Sequence, residues 1–166
     1  LVIGERMGID NCVYNGINYY ENTGSPTEAE FENYTPEFDS GVWDEDCGSI
    51  TTKSLGGIHL GIPTYLTAYT TPHIFEYNEV YYLAVGTGSG FIYLYDNVEN
   101  FINNTPTLNL NSEFNLLTNS MLEINNSIYS TVAIEDLNND NLPDLLRGNA
   151  SGGLELYFGL NFNIRH

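Results

Sequence analysis

Apolar positions along this chain alternate with a period of two in short blocks. Tyr81, Leu83 and Val85 share one face of YYLAVG, Ile92 and Leu94 one face of FIYLY, and Val132 and Ile134 one face of STVAIE. A two-residue period sends successive side chains to opposite sides of an extended backbone, so each block predicts a half-buried β-strand. Gly, Asn, Asp and Pro separate the blocks and supply the turns. No run holds a helical period; LTNSMLEINNS comes nearest, and its Asn and Ser suit a loop at least as well. The predicted class is all-β.

The blocks also repeat. LAVGTGSGFIYLY, Leu83 to Tyr95, aligns without gaps on LLRGNASGGLELY, Leu145 to Tyr157, at an offset of 62 residues, the distance from Gly86 to Gly148. The pairs Leu83/Leu145, Gly86/Gly148, Ser89/Ser151, Gly90/Gly152, Leu94/Leu156 and Tyr95/Tyr157 are identical. A third copy opens the chain, where LVIGER supplies the strand and Gly4, and NGINYYEN (Asn15 to Asn22) corresponds to GFIYLYDN (Gly90 to Asn97). Extra residues that include Cys12 are expected to lengthen its turn.

Each unit reads as strand, Gly-containing turn and strand ending in aromatics, followed by a variable stretch with Phe-centred pieces such as EAEFENY and NSEFNLLT. A strand pair that buries one face must stack on neighbours. Units of this length with recurring Gly and aromatic positions suit β-propeller blades. The expected organisation is one propeller segment over residues 1–166, with approximate repeats 1–60, 61–122 and 123–166. A closed propeller needs at least about four blades, so further blades or partner chains are expected to complete it.

Charge then narrows the partners. Four Lys and Arg stand against 22 Asp and Glu, a formal net charge of -18. Such a surface repels nucleic acid and anionic lipid, and attracts cations. With 13 Tyr, 8 Phe and 42% hydrophobic residues the chain nonetheless has the apolar surface to fold. No apolar run approaches the roughly 20 residues of a membrane span, so direct membrane insertion is not expected. LVIGERMGID has neither a basic n-region nor a signal-type apolar core, and its start within a strand, without Met, reads as a mature product or a fragment. Cys12 and Cys47 belong to no CxxC pair and no His cluster; one disulfide and two free thiols both fit.

The candidate chemistry lies in DLNNDNLPDLLRGN. Counting from Asp136 as the first position, oxygen donors recur at Asp136, Asn138, Asp140 and Asp144, with the Leu142 carbonyl at the seventh. Hard cations such as Ca²⁺ take six to eight oxygens, and this spacing wraps a short loop around one ion. Alternation is expected to turn the donors inward while Leu137 and Leu145 pack into the sheet. An EF-hand would place Glu at the twelfth position between helices; Arg147 stands there, and both flanks alternate as strands. Asn141 occupies the sixth position, where a positive φ is expected. The competing description is an Asx-rich turn whose side chains cap their own backbone.

Asp136 to Asp144, followed by LLRGNASGGLELYFG, resembles the FG-GAP/VCBS repeat, and LVIGER with INYYENTGSPTEAEF and YYLAVGTGSGFIYLYDN extends the resemblance over most of the chain. The resemblance implies blades of the integrin-α type of β-propeller, with a calcium loop between the first and second strands. Ca²⁺ ligation is carried over to Asp136, Asn138, Asp140, Leu142 and Asp144 alone. The matching stretch of the middle repeat, IFEYNEVYY, lacks the carboxylates and reads as a plain hairpin. YYENTGSPTEAEF and the final YFG are similar to secreted surface proteins of the Bacteroidota exported by type IX secretion, which implies an extracellular, cell-surface location.

Other constellations carry less. Gly86-Thr-Gly-Ser-Gly90 precedes a strand rather than a helix and has no Lys near it, so a hairpin turn is expected and not a phosphate loop. His59, His73 and His166 lack zinc spacing, and no nucleophile elbow is present. Asp44, Glu45 and Asp46 form a solvated charge cluster or, alternatively, half of a glycosidase pair. Tyr19, Tyr20, Tyr93 and Tyr95 are either rim residues that stack on sugars or core. The expected function is a non-catalytic, calcium-stabilised binding or adhesion module with a protein or glycan ligand. The alternatives are a propeller domain of a polysaccharide-active enzyme and a structural subunit of a secreted assembly.

Overall fold

A computed structural model describes residues 1–4, 9–10, 13–58, 69–96, 98, 115–116 and 128–159. Apart from one helical turn at Leu55–Gly57, its regular structure is β throughout, in agreement with the alternating pattern. LTNSMLEINNS (117–127), His59 and His166 lie outside the described residues.

Three antiparallel sheets follow the repeat. The N-terminal sheet has the order β1 (Val2–Gly4), β4 (Ile17–Asn22), β5 (Phe31–Asn33). The middle sheet runs β8 (Thr71–Tyr77), β9 (Val80–Gly86), β10 (Ile92–Asp96), β11 (Asn115–Leu116). The C-terminal sheet runs β12 (Thr131–Glu135), β13 (Asp144–Gly148), β14 (Leu154–Tyr157).

Aligned residues hold the same register. Gly4 faces Ile17, Gly86 faces Ile92 and Gly148 faces Leu154, while Val2 faces Tyr19, Ala84 faces Leu94 and Leu146 faces Leu156. Within the Phe-centred pieces, Phe31–Asn33 and Asn115–Leu116 form the next strands, β5 and β11, each paired to the aromatic-ended strand before it.

Local chemistry sets the turns. Asn78 and Glu79, at φ 52° and 64°, close the β8–β9 hairpin as a two-residue turn whose twist matches the strands. The Gly86–Gly90 stretch is likewise a hairpin turn, with Gly90 N–H donating to the Thr87 carbonyl and Thr87 N–H to that of Phe91.

Face-to-face stacking makes the core. Leu83 and Val85 pack with Ile17, Leu55 and Ile58, and the opposite face of the same sheet, with Ala84, Ile92 and Leu94, packs on Ile134 and Leu145. The middle sheet is therefore buried on both faces.

The stretch between Gly4 and Ile17 corrects the expectation of a longer turn. It forms β2 (Ile9–Asp10) and β3 (Val13–Asn15), which join the hairpin of β6 (Glu37–Asp44) and β7 (Gly48–Lys53) in a fourth sheet of order β2-β3-β7-β6. β3 and β7 are parallel, a pairing between segments far apart in sequence that no local pattern announces. Cys47 lies in the β6–β7 turn and is disulfide-bonded; Cys12 lies outside the described residues.

Candidate functional site

The Asp136–Asp144 segment joins β12 to β13 at the paired residues Glu135 and Asp144, so it is the first hairpin loop of its sheet. Its backbone curls around its own side-chain oxygens. Asp136 accepts from Asp140 N–H through Oδ1 (3.1 Å) and from Asn141 N–H through Oδ2 (2.9 Å). Asn138 Oδ1 accepts from the same Asp140 N–H (2.9 Å), which draws Asp136 and Asn138 to one side of the loop. Asp140 Oδ1 accepts from Leu142 N–H at 2.8 Å. Asn139 and Asn141 take left-handed φ of 61° and 64°, as the tight curl requires and as Asn tolerates.

Asp144 behaves differently from the other two carboxylates. It is fully buried, and it accepts from Leu137 N–H (3.0 Å) and Gly159 N–H (2.8 Å), tying the start of the loop to the chain beyond β14. Leu145 is buried as expected, but Leu137 is 51% exposed and does not pack into the sheet. Its backbone is held by Asp144 in a turn, where strand alternation no longer applies.

The donor types fit a hard cation: three side chains, Asp136, Asn138 and Asp140, bring exposed oxygens to one short loop. The same oxygens also satisfy the loop by themselves, and Asn138 Nδ2 donates to Asp140 Oδ2 at 2.9 Å. Among the described residues no three His, Cys, Asp or Glu side chains converge into a metal-holding group.

Beside the loop lies a cleft of about 230 Å³, between the β8–β9 turn and the start of the loop. Phe75 and Tyr77 give it aromatic surface, and Glu76, Glu135, Asp136 and Asn141 give it carboxylates and an amide. Rings beside hydrogen-bond acceptors suit a polyhydroxylated or cationic ligand.

The remaining candidates take the following places in the fold. Tyr95 is buried, and Tyr19 and Tyr93 pack against the same core, so none of the three is a free stacking platform. Burial raises the phenol pKa of all three above its ordinary value. Asp44, Glu45 and Asp46 sit exposed at the β6–β7 turn, where Asp44 Oδ1 accepts from Asp46 and Cys47 N–H. His73 Nε2 bonds the Ile134 carbonyl at 3.0 Å, linking the middle and C-terminal sheets.

A buried cation escaped the sequence reading. Arg147 is fully buried, its Nε donating to Ser130 Oγ (3.0 Å), Nη1 to Glu155 (3.0 Å) and Nη2 to the Gly90 carbonyl (3.2 Å). It clamps the turn of the middle sheet to the C-terminal one. Its signal lay in the alignment, where an Arg stands in the column of Val85, a core position.

Compared with protein-family models, curated proteins and solved structures, the chain matches none of them.

Proposed function

We propose that this chain is a calcium-stabilised, non-catalytic binding module, a segment of a β-propeller belonging to a secreted or cell-surface protein. The observation that carries the reading is the oxygen-lined loop from Asp136 to Asp144, set between the first two strands of a sheet that packs on its predecessor. Asp136, Asn138, Asp140 and Asp144, with the Leu142 carbonyl, would hold the ion, which supplies a +2 charge that draws the oxygens together. An ion bound by the folded state alone stabilises that state by mass action. The aromatic and carboxylate lining of the neighbouring cleft supports a glycan or a protein segment as the ligand.

Titration of the metal-stripped protein with Ca²⁺ should raise its melting temperature, and EDTA should reverse the gain. Asp140→Ala should abolish most of the calcium response, and in the metal-free melt it should cost no more than its exposed hydrogen bonds to Leu142 N–H and Asn138 Nδ2. A melt indifferent to calcium and chelator at neutral pH would leave the loop as a self-capped turn.

A structural role in a larger assembly is favoured by one further observation, the exposed apolar face of the C-terminal sheet.

A further inference from the structure

The same three register positions recur on one face of each sheet. In the N-terminal sheet these are Val2, Ile17 and Tyr19, in the middle sheet Ala84, Ile92 and Leu94, and in the C-terminal sheet Leu146, Leu154 and Leu156. The first set packs against Leu83 and Val85 of the middle sheet, and the second against Ile134 and Leu145 of the C-terminal sheet. Ile92 and Leu94 are 0% and 2% exposed as a result, whereas Leu154 and Leu156 are 71% and 43% exposed. Phe158, just past β14, is exposed as well.

The repeated glycine marks where a successor sits. A Cβ on Gly4 would meet the Thr70 carbonyl oxygen at 1.9 Å, and one on Gly86 would meet that of Ser130 at 2.3 Å. Both carbonyls belong to the residue just before the first strand of the next sheet, within Tyr69-Thr70-Thr71 and Tyr129-Ser130-Thr131. Backbone bonds hold the second of these segments in place: Ser130 N–H to the Thr87 carbonyl at 2.9 Å and Tyr129 N–H to that of Gly88 at 3.0 Å. At Gly148 the nearest such neighbours among the described residues, Thr131 and Leu154, are both in its own sheet.

We propose that Leu146, Leu154 and Leu156, with Gly148 as the seat, form the docking surface for a further β-sheet unit of this same repeat. Its first strand is preceded by a Tyr-Ser/Thr-Thr-like segment that lays a carbonyl on Gly148. The same contact is made twice within the chain, at the same register, and in the third set Leu154 and Leu156 are exposed. A second copy of this chain fits poorly. Each copy carries a formal charge of -18, so two copies repel one another. The inference extends the blade reading but does not use the metal loop, so a calcium-indifferent melt leaves it standing.

The test is the full chain extended at its C-terminus by a second copy of residues 123–166, compared with the unextended chain by amide hydrogen exchange. Docking should slow exchange in β13 and β14 by at least about tenfold in the extended chain. Leu154→Gln with Leu156→Gln should remove that protection, yet change the melt of the unextended chain little, because there the two side chains are 71% and 43% exposed and neither substitution adds charge. Equal exchange in the two chains, or protection that survives both substitutions, overturns the proposal. Protection of the unextended chain that grows with its concentration also overturns it, by showing a second copy to be the occupant.

Discussion

A methyl group at residue 86 would lie 2.3 Å from the Ser130 carbonyl oxygen and 2.5 Å from Thr71 Oγ1. The backbone oxygen cannot swing aside, so Gly86→Ala must push the middle and C-terminal sheets apart, at a cost of about 1–3 kcal/mol. Gly41, at φ 69° with open space around it, should lose only the roughly 1–2 kcal/mol of left-handed strain on substitution by Ala. Urea unfolding of the two variants checks the ordering, and hydrogen exchange at the Ser130 amide should rise in the first alone. Tyr95 offers a second test, in pH. Burial, with Tyr93 adding to it, holds its phenol pKa well above the ordinary 10.0, so at alkaline pH the unfolded chain gives up this proton before the folded one. Stability is then complete below pH 10 and falls as pH rises beyond it. Tyr95→Phe should flatten the alkaline limb of the melting temperature against pH.

At the scale of the element, the Asp136–Asp144 loop is held from its buried end. Asp144→Ala leaves Leu137 and Gly159 N–H without their acceptor, which should cost about 1–3 kcal/mol and loosen the loop and the chain after β14 together. Asp144→Asn keeps one acceptor oxygen and should lose less; thermal melts in EDTA separate this anchoring from any metal effect. Three strands were legible from alternation: the faces of YYLAVG, FIYLY and STVAIE are the faces found packed. The Tyr-Ser/Thr-Thr segment was not, because it recurs at an offset of 60 residues, from Thr70 to Ser130, and the ungapped alignment runs at 62. The β12–β13 loop is longer than the two-residue β8–β9 turn and breaks the register there. Leu137 was misplaced for a related reason, since the period of two ends where the loop begins to curl around Asp136.

The whole molecule carries 22 acidic residues against four basic, and one of those four, Arg147, is spent inside. Folding concentrates the uncompensated charge, so the folded state should gain stability as salt shortens the screening length to about 10 Å at 0.1 M. The melting temperature should rise with NaCl up to about 0.5 M, the opposite of what a fold resting on surface ion pairs would show. The sequence by itself determined the repeated strands of three units, the hairpin turns between them and the position of the oxygen-rich loop, because a two-residue period and turn-forming residues act over a few neighbours. Tertiary structure decided which faces are covered, why Gly4 and Gly86 admit no side chain, how Asp144 comes to be buried while Asp136 and Asp140 stay near water, and that β3 runs parallel to β7. Each of these depends on contacts between segments distant in the chain, where stacking and not local preference sets the energy.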